Sequence, residues 1–299
     1  MSFRFESGET VERGIKRMAR EQIDKAVTEI DTQNLTYQFR VHQVRKRCKK
    51  LRALARLVRP ALGDQYREIN RFYRDTAQLL SEVRDAAAVL ESYDEVIADD
   101  PDEQAADIFA PIRVALEARC DAAAAEHDAG GRLAQVRVRL LEGRAALDDW
   151  HVDGSGFAAV AGGLHRVYRR GRKAMKRVLT DPTPANEHDW RKRAKYLRYH
   201  ARVLRRLWPE MMKPLRNEFK RLSDILGEIH DGYVFRCAAA DDRWFAGVES
   251  VPAYLDLLAR RSEALREEAG ILGRRLYAEK PKRFVARLAR YGAAERGLA

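Results

Sequence analysis

The chain writes one stretch twice. Residues 42–52 read His42-Gln43-Val44-Arg45-Lys46-Arg47-Cys48-Lys49-Lys50-Leu51-Arg52, and residues 188–198 read His188-Asp189-Trp190-Arg191-Lys192-Arg193-Ala194-Lys195-Tyr196-Leu197-Arg198. Both follow H-x-x-R-K-R-x-K-x-L-R, at an offset of 146 residues. The offset continues downstream without a gap: Arg56 and Arg59 fall on Arg202 and Arg205, and Leu80, Glu82 and Asp85 fall on Leu226, Glu228 and Asp231. A self-similarity of this kind restricts the fold to two like units packed together.

Each copy reads as a helix. Apolar or small residues at Val41, Val44, Cys48, Leu51, Ala55 and Val58, and at Trp190, Ala194, Leu197, Ala201 and Leu204, carry the 3,4 spacing of a buried seam. One residue later runs a basic stripe: His42, Arg45, Lys49, Arg52, Arg56, Arg59, matched by His188, Arg191, Lys195, Arg198, Arg202, Arg205. One residue is about 100° around a helix, so each stripe flanks its seam, and it extends for roughly 25 Å. Exposed helix faces usually mix signs, because opposite charges at i,i+4 attract and like charges repel. No acid interrupts residues 41–63. A bound polyanion would offset that repulsion.

Composition agrees. Fifty-seven Lys and Arg against forty-five Asp and Glu give a net charge of +12, which favours an acidic partner. Helix formers dominate, Gly and Pro are few, and no run of alternating β-branched residues appears, so the fold class expected is all-α. The cysteines Cys48, Cys120 and Cys237 are odd in number and scattered, as reduced thiols in a cytosolic protein would be. The first ten residues lack the apolar core of a secretory signal, and no apolar run reaches membrane-spanning length. The expected localisation is therefore cytoplasmic.

Helices are expected at about 9–30, 37–59 and 64–98, then to about 127 and about 148, with Asn34 and Thr36 supplying a capping turn. Asp153-Gly154-Ser155-Gly156 is the one obvious linker. The programme then restarts, since Gly163 to Arg169 echoes Gly14 to Arg20 at an offset of 149. Thr183-Pro184 reads as an N-cap and first helical residue. The second basic helix should end near Trp208-Pro209, and later helices should cover about 213–240, about 253–277 and the basic C-terminal segment. The expected architecture is two pseudo-symmetric four-helix bundles forming one helical domain over 8–293, with repeats at about 9–148 and 157–293 and tails at 1–7 and 294–299. A basic central groove or pore would lie between them.

The histidine that opens an Arg/Lys-rich helix in each half, together with Leu226-Gly227-Glu228-Ile229-His230-Asp231, resembles the CHAD family, the conserved histidine α-helical domain. The resemblance implies two similar bundles that bind inorganic polyphosphate, without catalysis or cofactor, in a basic central cavity. Carried over by position, the ligand-facing set is His42, Arg45, Lys46, Lys49 and Arg52, with His188, Arg191, Lys192, Lys195 and Arg198. Arg17, Arg20, Arg166 and Arg169 join them. Arg56 and Arg202 continue the stripes, and His165, Lys173 and His230 complete the candidates. In the first half the Leu-Gly-Glu-x-His-Asp end reads Leu80-Ser81-Glu82-Val83-Arg84-Asp85, so His230 has no twin. Relatives often stand beside a triphosphatase whose Glu-x-Glu-x-Lys strand is absent here. A separate triphosphatase or other polyphosphate-metabolising enzyme, and residence at polyphosphate granules, are the associated expectations.

Polyphosphate offers a row of charges and no bases to read. Arg adds bidentate hydrogen bonds to phosphate oxygens, and Lys acts more as a point charge. Glu82, Asp85, Glu228 and Asp231 are expected to pair with the basic helices and orient their arginines. Three other readings stand beside this one. Nucleic-acid binding has Tyr168, Tyr196 and Tyr199 interleaved among the cations as stacking surfaces, although no helix-turn-helix or other known nucleic-acid signature is present. An enzyme of polyphosphate metabolism would need an acid–base pair or metal set that does not accompany the cations. A zinc site would need clustered ligands, and no H-E-x-x-H or C-x-x-C pair exists.

Overall fold

The computed structural model describes residues 3–294 apart from 101, 103 and 241, and the described residues form α-helices and one 3-10 turn without a strand. In chain order the first half holds α1 (Val11–Asp31), α2 (Tyr37–Leu57), α3 (Gln65–Gln78), α4 (Ser81–Ala98), α5 (Ala105–Ala129) and α6 (Arg132–Ala145). The second holds α7 (Gly156–Thr180), α8 (Pro184–Val203), α9 (Pro209–Ala239), the single turn α10 (Asp242–Phe245), α11 (Val251–Leu276) and α12 (Pro281–Ala294). The all-α class is as the composition implies. Six helices stand in each half where the sequence pattern suggests four.

Caps fix where the basic helices begin. Thr36 accepts a hydrogen bond from the Phe39 amide at the head of α2, and Thr183 accepts from Asn186 at the head of α8, with Pro184 in the first turn. Two boundaries differ from the sequence pattern. After Val203 the chain makes a 3-10 turn over Arg205–Leu207, and α9 already starts at Pro209. The helix expected over 64–98 is broken into α3 and α4 at Leu79-Leu80. There the Leu80 amide turns back to the Ala77 carbonyl at 3.3 Å, and Ser81 Oγ donates to the Gln78 carbonyl at 2.7 Å. A serine hydroxyl bonded to nearby backbone competes with the helical ladder. At the matching place in the second half stands Gly227, and α9 runs through without a break.

The interior is shared between the halves. One apolar cluster joins Ile15, Met18, Val44, Leu51 and Tyr73 with Leu164, Tyr168, Trp190, Leu197 and Phe219. A second joins Val89, Tyr93 and Ile112 of α4 and α5 to Phe235, Phe245 and Tyr254 of α9, α10 and α11. Side chains such as these each contribute on the order of 1.5–3 kcal/mol when fully buried. The central helices are α2, which packs on α1, α3, α4, α7 and α8, and α8, which packs on α7, α9 and α2. Backbone approach makes the α7–α2 crossing possible: a Cβ on Gly163 would fall 1.9 Å from the Leu57 carbonyl oxygen. Any side chain there would drive α7 off α2.

Candidate functional site

The two basic helices meet directly. His200 of α8 is fully buried, with Nε2 donating to the Ala53 carbonyl of α2 at 3.0 Å. The Arg56 guanidinium of α2 lies 4.3 Å from the centre of the Tyr196 ring of α8, a cation–π contact. Packing the seams together in this way sets the flanking stripes side by side.

The consequence is plainest at Lys49 and Lys195. Burial, then Arg45 and Arg191, pushes the Lys49 ammonium down to about 8. Burial, then Arg191 and Lys49 itself, pushes Lys195 well below the usual lysine range. Among the described residues neither ammonium lies within salt-bridge distance of a carboxylate. Desolvation and like charge both disfavour the protonated form and outweigh the opposing pull of Asp85 on Lys49 and of Asp231 and Asp224 on Lys195, none of which is close enough to form an ion pair with either lysine.

The other stripe residues are held in definite orientations. Arg45 donates through Nη1 to the Ala77 carbonyl at 2.9 Å, and its Nη2 is 3.8 Å from Asp85. Arg191 sits 3.5 Å from Asp231 and lies against Gly227, where a Cβ would come 2.9 Å from Nη2. The Ser81 break in the first half therefore supplies Arg45 with a carbonyl, and the glycine in the second supplies Arg191 with a flat helix surface. Arg52 and Arg56 both donate to Asn70 Oδ1, and Arg198 is 4.0 Å from Asp224. Arg202 lies over Phe3 with its centre 5.9 Å from the ring. Lys46 is depressed by burial and by Arg47, Arg198 and Arg202, and Lys192 by burial and by Arg193, Arg52 and Arg170, though Asp189 opposes this for Lys192.

At the heads of the stripes the surroundings favour the neutral form of the histidines. His188 packs against His230 with ring centres 4.3 Å apart and planes tilted by 36°, and both Nδ1 atoms are buried without a partner. Burial, then His230, takes His188 down to about 3, and burial, then Arg191, takes His230 to about 4. Burial, then Arg84, also lowers His42. Arg84 occupies the repeat position of His230, so a cation stands beside each leading histidine in one half and a second imidazole in the other.

The remaining candidates go elsewhere. Arg17 is tied to Glu9, to Glu21 and to the Arg4 carbonyl, and the Glu9 hydrogen bond chiefly raises its pKa. Arg20 pairs with Asp148 at 2.9 Å. His165, Arg166, Arg169 and Lys173 line clefts on α7. Of the four carboxylates, Asp85 and Asp231 face Arg45 and Arg191, while Glu82 bonds His127 at 2.8 Å and Glu228 pairs with Arg261. Tyr168, Tyr196 and Tyr199 are 0%, 7% and 9% exposed and belong to the core, so they present no stacking surface to a base.

Several members of the site lie outside the expected ligand-facing set. Asn70 comes from α3, outside every motif, while Gly227 and Arg84 lie in the Leu-Gly-Glu-x-His-Asp segment and its counterpart but are not among the candidates for contact. Within the basic motif, Arg47 and Arg193 share a repeat position but are anchors: Arg47 pairs with Glu29 and Arg193 with Asp189. Beyond Arg191 the sign changes. A cleft of about 590 Å³ between α4, α9 and α11 is lined by Glu91, Glu95, Asp224, Glu228, Asp231 and Glu268 among four cations. Burial, then Glu228 and Glu91, raises the Glu95 carboxyl. Among the described residues no group of three or more His, Cys, Asp or Glu is placed to hold a metal ion. No helix among the described residues is long and apolar enough to cross a membrane.

Compared with known families, residues 17–240 match the model described as the CHAD domain. No curated protein matches the chain.

Proposed function

The chain belongs to the CHAD domain family, and from that premise we propose that it binds inorganic polyphosphate, without turning it over, along a groove between α2 and α8. The observation that carries this reading is the meeting of Lys49 and Lys195 among Arg45 and Arg191 with no carboxylate in salt-bridge reach of either lysine. A row of phosphates would relieve both penalties at once, replacing lost water and cancelling like charge. The oriented guanidinium groups add hydrogen bonds to phosphate oxygens. Rigid helices hold these donors before the ligand arrives, so little ordering entropy is lost on binding.

A binding role is also supported by the carboxylates. Asp85 and Asp231 face arginines, and Glu82 and Glu228 are engaged by His127 and Arg261, which favours positioning over proton transfer. The buried tyrosines weigh against nucleic acid. On this reading the protein resides at polyphosphate deposits, alongside an enzyme that makes or consumes the polymer.

The test is a competition at fixed salt between long-chain polyphosphate, single-stranded DNA and duplex DNA. Polyphosphate should displace both nucleic acids at matched charge, with affinity falling steeply as salt rises. Equal affinity for DNA would favour the nucleic-acid reading, and hydrolysis of the polymer with Mg²⁺ would favour an enzyme. In cells, a fluorescent fusion should follow the polyphosphate deposits and disperse when Lys49 and Lys195 are replaced by Met.

A further inference from the structure

The groove makes no use of α12, and α12 lies beyond residues 17–240, the part of the chain that matches the family. The helix carries Lys282, Arg283, Arg287 and Arg290 and no acid. Its inner face is fixed on α7: Phe284 and Leu288 are buried, and the Phe284 ring stacks on Tyr168 with centres 4.0 Å apart. Lys282, Arg283, Ala286 and Arg290 are exposed and share the outward face, which extends for about 12 Å. Arg287 is turned aside and bonds Glu279 at 2.6 Å and the Tyr291 hydroxyl at 3.0 Å.

An apolar corner adjoins this basic face. The Trp208 ring meets Tyr291 of α12 edge-on, with centres 4.9 Å apart, yet Trp208 is still 43% exposed. Met211, in the first turn of α9, is 42% exposed. The 3-10 turn that precedes Trp208 packs on α12 and adds Arg205 and Arg206. Among the described residues none of Arg205, Arg206, Lys282, Arg283 and Arg290 is within salt-bridge distance of a carboxylate. Glu210, exposed in the first turn of α9, is the acid nearest in sequence to Trp208. A row of phosphates would engage the cations and leave the indole and the thioether in water. A lipid surface satisfies both, because anionic headgroups attract the cations while an indole ring settles at the boundary between headgroups and acyl chains.

We propose that α12 and the Trp208–Met211 corner form a docking surface for an anionic lipid bilayer, on which the protein lies without spanning it. Trp208 and Met211 enter the headgroup layer, and Lys282, Arg283 and Arg290 lie over the anionic headgroups. Each cation that reaches such a surface raises affinity roughly fivefold at low salt. The surface is separate from the α2–α8 groove, so docking does not depend on what the groove binds.

The experiment measures co-sedimentation of the full chain with vesicles of about three parts phosphatidylserine to seven parts phosphatidylcholine, and with phosphatidylcholine alone. Two variants lose the same charge: K282Q/R283Q/R290Q on α12 and R169Q/R170Q/K173Q on α7. Wild type should bind the anionic vesicles and not the neutral ones. The α12 variant should lose about tenfold or more in vesicle affinity, and the α7 variant no more than about threefold. Lys282, Arg283 and Arg290 make no hydrogen bond among the described residues, so the α12 variant should keep the wild-type melting temperature and its affinity for polyphosphate. Bromine-labelled acyl chains should quench part of the tryptophan emission of bound wild type, and Trp208→Phe should abolish that quenching. Wild type failing to bind anionic vesicles would overturn the proposal. Equal losses in the two charge-matched variants would do so too, since adsorption would then follow net charge. Emission left unquenched in the bound protein would show that the corner stays out of the bilayer and would overturn it as well.

Discussion

Arg17 on α1 and Arg166 on α7 hold the same place in the repeat, yet they meet opposite surroundings. Arg17 is enclosed by Glu9, Glu21 and the Arg4 carbonyl. Arg166 stands exposed beside Arg59 and Arg169, and burial and then Arg59 lower its pKa. The basic helices show the reverse. Lys49 and Lys195 also share a repeat position, and among the described residues both stay among cations with no carboxylate within salt-bridge distance. The repeat fixes where cations emerge from the backbone, and the neighbouring helices decide whether they are available to a ligand. Availability is retained twice on α2 and α8, and once on α7.

The largest expected effect comes from breaking the part that agrees. Replacing Lys49 and Lys195 together by Met removes two charge-assisted contacts of about 1.5–3 kcal/mol each, so polyphosphate affinity should fall at least about a hundredfold. The same change should raise stability by about 1–3 kcal/mol per site, because a desolvated ammonium among like charges gives way to an apolar chain of similar shape. Denaturant melts of the free protein check the second half of this expectation. A double variant that is less stable than wild type would show that the lysines are structural.

A smaller effect should separate Arg45 from Arg191. Gly227→Ala places a Cβ where the Arg191 guanidinium lies. The displaced group is the end of a flexible side chain, and alanine favours the helix by up to about 1 kcal/mol over glycine. Folding should therefore be preserved while affinity falls about tenfold. Ser81→Gly removes the hydroxyl bond to the Gln78 carbonyl but leaves the Leu80 amide turned to Ala77, so the break and the Ala77 carbonyl that Arg45 bonds should persist and affinity should change by less than about twofold. Binding titrations beside melting curves distinguish the two sites.

Much of this was legible in the chain and some was not. Periodicity and capping threonines located α2 and α8, because a buried seam and a cap are local properties, and the echo of Gly14–Arg20 in Gly163–Arg169 paired α1 with α7. The break before α4 was not legible, although Ser81 stands where Gly227 does. Whether a serine competes with its own helix depends on the turn around it. The burial of Tyr168, Tyr196 and Tyr199 was hidden because interleaving with cations looks the same for a core seam and for a stacking face. The Arg17–Glu21 pair at i,i+4 was open to reading in the sequence, but the enclosure of Arg17 by Glu9 and of Arg20 by Asp148 was hidden, since those contacts form only in the folded chain. Replacing Arg17 by Ala should accordingly cost about 1–2 kcal/mol in stability and leave polyphosphate affinity unchanged, the opposite of the expectation for Arg166 and Arg169 on α7. Titration of that variant, with its melting curve, checks both.

The smallest effect concerns pH. Lys49 has a lowered value of about 8 in the free protein, and a bound polyanion would raise it. Binding must then take up protons between those two values, so affinity should weaken severalfold as pH climbs through 8 toward the usual lysine range. For the free protein the sign runs the other way. The unfolded chain holds the Lys49 proton to higher pH than the folded one, so this group makes folding more favourable as pH rises from about 8 toward the usual lysine range, about 10.4. His188 and His230 begin at about 3 and 4, and their proton uptake belongs to the acid side of neutrality. Calorimetric titration in buffers of different ionisation enthalpy counts the protons, and a count that does not change when Lys49 is replaced by Met would assign the uptake elsewhere.

The central claim is a location, and the most direct test is a crystal structure of the protein with a short polyphosphate chain bound. The account predicts continuous phosphate density between α2 and α8, with the Lys49 and Lys195 ammonium groups and the Arg45 and Arg191 guanidinium groups in hydrogen-bonding contact with phosphate oxygens. Density lying only on the exposed face of α7, or in the cleft between α4, α9 and α11, with the Lys49–Lys195 groove holding water alone, would contradict it.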